Sequence, residues 1–234
     1  MELLVQKNGK HAVTRIFEEA FKMTNSNLGA QNYDVSMSGT TVCTALIVGN
    51  SLFTSNVGDT RAVLGRLEVN YLERRDSSDR IGRKSFRWKP IRITRDHKPD
   101  EEPEYSRIIA NNGRVEALKG EVKDYSLDSK GKPIGPMRVW LKDDPLPGLA
   151  MSRSFGDRVA TLAGVISTPE VKEFELQSED KFIIIASDGV WEYISDEEAI
   201  KIISRYWNKR DVNMACQKIV EEARLRWKHH SGAE

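Results

Sequence analysis

The amino-acid sequence predicts an α+β protein in which layers of antiparallel strands stack with helices. Two observations carry this prediction. Three short strand-like runs, residues 40–48, 51–57 and 61–67, follow one another through the glycine turns Gly49-Asn50 and Gly58-Asp59. Helical periodicity is gathered in blocks at the start, middle and end, and the lack of regular strand-helix alternation argues against a doubly wound parallel sheet. At 234 residues with 39% hydrophobic side chains, the chain is long and apolar enough for one large domain or two small ones with an ordinary core. No internal repeat is visible.

Taken in order, Val13, Ile16, Phe17, Ala20, Phe21 and Leu28 fall at helical spacing and predict an amphipathic helix over residues 12–28, closed by the polar run 32–38. The three strands read as an antiparallel meander, with Gly49-Asn50 a tight hairpin between the first two. Residues 68–90 carry Arg74, Arg75, Asp76, Asp79, Arg80, Arg83, Lys84, Arg87 and Lys89 with little apolar periodicity, which predicts a long solvated loop inserted in the domain. A helix follows, with Pro103 in its first turn, Tyr105, Ile108 and Ile109 on its buried face, and Asn112-Gly113 as its stop. Residues 119–136, polar and glycine-rich, read as another loop. Strands are predicted at 137–141 and 171–176, and a third in the run Phe182-Ile183-Ile184-Ile185-Ala186. Two helices finish the chain: one capped by Ser195 with Glu198 at capping-box spacing, the other over about 212–228.

Composition excludes several function classes. The formal charge is +1 with 30% charged residues, so no global field favours nucleic acid or a membrane surface, and acids interleave the bases of residues 68–90. Cys43 and Cys216 form neither a Cys-x-x-Cys pair nor a disulfide framework, which fits a reducing compartment and two small core residues. No run approaches the roughly 18 apolar residues of a membrane helix, and Glu2, Gln6 and Lys7 do not suit a signal peptide. The expected location is therefore cytosol or nucleus. His11, His97, His229 and His230 lie in polar segments without cysteine at ligand spacing, which favours solvated side chains over a zinc site. The common phosphate-loop, dinucleotide, nucleophile-elbow and His-Glu-x-x-His signatures are all missing from the sequence.

The most informative feature is the apolar run ending in Ser187-Asp188-Gly189, which contains the chain's sole Asp-Gly step. A carboxylate fixed there, at the mouth of a sheet, suits a hard divalent cation such as magnesium or manganese; an ordinary surface turn before the next helix fits the same residues. Two further clusters exceed what packing needs: Ser38-Gly39-Thr40-Thr41 with Gly58-Asp59-Thr60-Arg61-Ala62, and Leu149-Ala150-Met151-Ser152-Arg153-Ser154-Phe155-Gly156-Asp157. With Thr94-Arg95-Asp96-His97-Lys98-Pro99, Arg107-Ile108, Asn112-Gly113-Arg114-Val115 and Gly164-Val165-Ile166-Ser167-Thr168-Pro169-Glu170, these motifs come in an order that resembles the metal-dependent type 2C serine/threonine protein phosphatases, or PPM family, along nearly the whole chain. The wording around Arg138-Val139-Trp140-Leu141 is similar to plant and protist branches.

That resemblance implies a four-layer α-β-β-α sandwich of two antiparallel sheets flanked by helices, with two or more magnesium or manganese ions in an edge cleft. It implies hydrolysis of phosphoserine and phosphothreonine in proteins by a metal-bridged water, with no side-chain nucleophile, phosphoprotein substrates as partners and a monomeric chain. Residue by residue, the family's Ser-Asp-Gly aspartate maps onto Asp188 as a metal ligand, and the aspartate closing Ser-Arg-x-x-Gly-Asp maps onto Asp157 as a ligand of a weaker metal. Without the resemblance, Asp157 reads as a cap after Gly156. Gly58, Asp59 and Arg61 are expected to be structural, a turn and a fixed charge pair; Asp96 and His97 receive no catalytic role. The family's opening Asp-Gly-His-Gly-Gly strand and closing Asp-Asn/Asp-Ile-Thr motif, which bear other ligands, do not occur in these residues. The expectation is a piece of a normal phosphatase domain, incomplete at its terminal strands, with exposed sheet edges and marginal stability. The alternative is an inactive relative that serves as a protein-binding scaffold, with residues 68–90 as its candidate surface.

Overall fold

Apolar residues at helical or alternating spacing form the elements that hold the chain together, and the computed structural model describes residues 2–71, 84–117 and 135–231. They divide into two compact units, Met1–Gly49 with Phe53–Thr60 and Arg95–Glu173, and Asn50–Leu52 with Arg61–Thr94 and Phe174–Glu234.

In the first unit α1 (Glu2–Gly29) presents Phe21 to Phe155 in an edge-to-face contact at 5.4 Å, with Val57 buried beside them. Strand β1 (Gly39–Thr40) pairs antiparallel with β9 (Phe155–Gly156). β2 (Val42–Val48) and β3 (Ser51–Val57), joined at Gly49-Asn50, lie side by side with β10 (Glu170–Glu175) next to β3. α2 (Glu104–Ala110) leads into the sheet β6 (Gly113–Ala117), β7 (Met137–Leu141) and β8 (Pro147–Leu149). Ile108 and Val139 are fully buried there against Ala160 of the short α3 (Arg158–Thr161), and the Trp140 indole donates to the Glu116 carbonyl at 2.9 Å.

The second unit is a sheet of β11 (Asp180–Ala186), β4 (Arg61–Tyr71) and β5 (Lys84–Arg92), covered by α4 (Asp188–Trp191), α5 (Asp196–Trp207) and α6 (Val212–Ser231). Val63, Ile184, Trp191, Ile194, Ile200 and Ile219 make its core; burial of Ile194 or Ile200, each 1% exposed, contributes roughly 1.5–3 kcal/mol. The predicted capping box is present: Ser195 Oγ accepts the Glu198 N–H and Glu198 Oε2 accepts the Ser195 N–H at 3.0 Å. Ser195→Ala strands that N–H and is expected to lower the unfolding free energy by about 1 kcal/mol, measured as a lower urea midpoint at unchanged slope.

Four expectations are corrected. The meander ends at β3, because β4 joins the other sheet beside β11. Much of the predicted loop at 68–90 is strand: β4 and β5 pair from Val63↔Arg92 to Tyr71↔Lys84, while residues 72–83 lie outside those described. Most of the loop predicted at 119–136 also lies outside the described residues. On α2 the buried residues are Glu104 and Ile108, whereas Tyr105 and Ile109 are 43% and 45% exposed. Cys43 is half-buried, which pushes its thiol up to about 11, but Cys216 is exposed on α6.

Candidate functional site

In the second unit the β-branched run of β11 ends at Ala186; Ser187 is extended, and the chain turns into α4 at Asp188. Trp191 closes this turn, its indole N–H shared between the carbonyls of Ala186 at 2.8 Å and Arg61 at 3.1 Å, with the Arg61 guanidinium 5.2 Å from its ring centroid. From α6, Trp227 donates to the Gly189 carbonyl at 2.8 Å. Asp188 is exposed, and among the described residues its carboxylate has neither a hydrogen-bond nor an ion-pair partner. Beyond the turn is a cleft of about 490 Å³ lined in part by Arg61, Arg92, Trp191 and Asp196. Its charges are satisfied internally: Arg61 and Arg92 each donate to Asp196 at 2.8 Å. Burial alone would raise the Asp196 carboxyl, and the bonds from Arg92 and Arg61 outweigh it and hold the group below the usual range.

In the first unit Asp157 follows Gly156, and both have positive φ, 45° at Asp157 and 75° at Gly156. An aspartate tolerates this region better than most residues, and neighbouring bonds define it: the Asp157 N–H donates to Ser38 O at 2.9 Å and the Gly156 N–H to Asn25 Oδ1 on α1 at 2.9 Å. The Asp157 side chain lies over the bare Cα of Gly39, where a Cβ would come within 2.0 Å of Oδ2. Only 7% of the residue is exposed. Burial pushes its carboxyl above the usual range; the Ser154 hydroxyl offsets this in part, although its Oγ lacks a well-formed hydrogen bond. None of the described cations pairs with it.

The segment leading to Asp157 is fastened by a buried carboxylate. Glu104, 0% exposed, accepts Arg153 Nη2 at 2.6 Å on Oε1, and on Oε2 Arg107 Nη2 at 2.7 Å, Ser152 Oγ at 2.6 Å and Arg153 Nε at 3.0 Å. Burial opposes its ionisation, and the bonds from Arg153, Arg107 and Ser152 overcome this and hold it far below the usual range. Arg153 also donates to Thr168 O, and the Ser152 N–H to His97 O. His97, predicted to be solvated, is fully buried instead: Nδ1 accepts the Gly58 N–H at 3.1 Å, and Nε2 faces Glu170 at 3.6 Å. Burial pushes its pKa below the ordinary imidazole value, outweighing the pull of Glu170. Within the first unit Asp59 accepts from Lys98 Nζ at 2.6 Å, and within the second Arg61 donates to Asp196 at 2.8 Å.

Asp157 thus lies in the first unit and Asp188 in the second. Among the described residues no three His, Cys, Asp or Glu side chains come together as a metal site. Both aspartates nevertheless fit a hard cation as single donors, being carboxylates without a protein counter-charge among those residues. Sequence reasoning missed Glu104. Its signal was the four-residue spacing to Ile108, which puts both on one helical face.

A family model described as "Protein phosphatase 2C" matches residues 2–232. Among curated relatives, "Probable protein phosphatase 2C 64" of Oryza sativa subsp. japonica is 36% identical over 92% of this chain and 44% of its own length. "Probable protein phosphatase 2C 65" of Arabidopsis thaliana is 32% identical over 96% of this chain and 53% of its own. The chain spans about half the length of the curated relatives it matches. Among solved structures, a serine-threonine phosphatase 2C from Toxoplasma gondii superposes with TM-score 0.66 at 20% identity, covering 95% of this chain and 65% of that one, a likeness that concerns the fold.

Proposed function

Because this chain belongs to the protein phosphatase 2C family, we propose that it is part of a domain that hydrolyses phosphoserine and phosphothreonine esters in proteins. Asp188 and Asp157 each lend a carboxylate to divalent metal, magnesium or manganese. The observation that carries this reading is Asp157: a carboxylate more than nine-tenths buried, pushed toward its protonated form by burial, and facing no described cation. A buried charge is costly unless something neutralises it, and a bound cation does so. Bound there, the metal supplies an activated water and neutralises phosphoryl oxygens. The chain's own contribution is positional. Trp191 ties the Asp188 turn to the end of β11 through its bond to Ala186 O, and the Glu104–Arg153 bonds with the Ser38 and Asn25 contacts hold the Asp157 segment.

The test is manganese-dependent phosphate release from a phosphothreonine peptide by protein expressed from its complete coding sequence. Asp188→Ala is expected to abolish it while leaving the thermal midpoint near wild type, because the exposed carboxylate makes no described contact. Equal turnover by the variant and the wild type overturns the role given to Asp188.

A further inference from the structure

We infer that Trp227, far from Asp188 in sequence, is a positioning residue that holds the Asp188-Gly189 turn in its metal-ready shape; this rests on the metal role proposed for Asp188. Four residues of helix cannot sustain themselves, since helix formation has a costly nucleus. The bonds around the turn show where it is weakest. The Glu192 N–H reaches Asp188 O at 2.9 Å and the Ile194 N–H reaches Val190 O at 3.2 Å, but among the described residues no backbone N–H reaches the carbonyl between them, that of Gly189. The Trp227 indole fills this gap at 2.8 Å.

The indole is itself fixed in place. Tyr193 packs edge-on against its ring at 4.8 Å, and the His230 ring stacks parallel on Tyr193 at 4.3 Å. The preceding residue, Arg226, grips the far end of the same turn: it donates to Tyr193 O at 2.6 Å and to both Glu198 oxygens at 3.0 and 2.9 Å. Consecutive residues of α6 therefore clamp the stretch from Gly189 to the α5 cap. With a flexible glycine directly after the ligand, the indole bond limits where the Asp188 carboxylate points. Groups that orient a metal ligand without touching the metal commonly tune its affinity.

The experiment measures Mn²⁺ binding to the full-length protein by the electron paramagnetic resonance of the free ion, with amide hydrogen exchange as a second readout. Trp227→Phe keeps an aromatic ring against Tyr193 and deletes only the donor. It is expected to weaken Mn²⁺ binding by about fivefold to tenfold and to speed exchange of the Val190 to Glu192 amides, with α6 amides and the thermal midpoint little changed. Asp188→Asn is expected to remove the same binding event. If Asp188→Asn binds Mn²⁺ like wild type, or wild type binds none, the metal reading fails and this inference with it. If Asp188→Asn loses binding while Trp227→Phe retains wild-type affinity, the positioning role is overturned and the Asp188 role stands. Should Trp227→Phe melt early, exchange in the wild type decides: turn amides opening independently of α6 amides would also overturn the role.

Discussion

Replacing Glu104 with alanine is expected to cost about 3–5 kcal/mol, the range for breaking a buried ion pair and stranding its partner. Glu104 is fully buried, and its removal leaves the Arg153 and Arg107 guanidiniums and the Ser152 hydroxyl without their shared acceptor. Since a domain's whole stability is about 5–15 kcal/mol, the first unit should lose a large fraction of its stability and unfold at a clearly lower urea midpoint. Glu104→Gln keeps the shape and one acceptor and should cost less, so the pair separates charge from packing. The pH dependence follows from the sign of the shift. The folded carboxyl is held below its ordinary value of 4.5, so its stabilisation is complete above that pH and drains away as the pH falls below it. Glu170, held low by His97, Lys172 and Arg95, adds to the same window. Urea midpoints from pH 3 to 7 should fall steeply on the acid side for wild type and less steeply for Glu104→Gln. An alanine variant within 1 kcal/mol of wild type would show that the network contributes little.

How legible such features were in the sequence depended on whether neighbouring residues or distant ones decide them. The strand Met137–Leu141 and the Ser195 capping box follow from local chemistry, and both stand where expected. The turn at Asp188 was visible because an apolar strand and a glycine bracket it. β5 is hard to see in the sequence because Arg83, Lys84, Arg87 and Lys89 obscure the alternation of Phe86 and Trp88. Charged side chains and Pro90 are what an edge strand carries, and only pairing with β4 makes the segment regular. His97 and Glu104 were hidden for a different reason. A polar residue is read as exposed unless its partners are known, and here they come from positions as distant as Gly58 and Arg153. For Asp157 the motif marked the position, whereas its burial over Gly39 needed the fold.

That seat yields the second large effect: Gly39→Ala is expected to destabilise the first unit by about 1–3 kcal/mol, the usual range for overpacking, and to displace the Asp157 carboxylate. A Cβ at Gly39 would sit 2.0 Å from Asp157 Oδ2, 2.4 Å from its Cγ and 2.4 Å from Phe155 O. A rotamer change at Asp157 relieves the first two contacts but not the third, which is backbone. Nor can the strands slide apart freely. Gly39 faces Gly156 across the two-residue β1–β9 pairing, and a Cβ on Gly156 would in turn meet Ser38 O at 2.4 Å. The two glycines thus leave the room in which the carboxylate is buried. A double-mutant cycle separates the contributions: in an Asp157→Ala background, Gly39→Ala should cost less than in wild type, with a coupling of about 0.5–3 kcal/mol for groups in contact. The residual cost reports the clash with Phe155 O. Strict additivity in denaturant midpoints would mean that Gly39 serves the strand pairing alone and leaves Asp157 where it is.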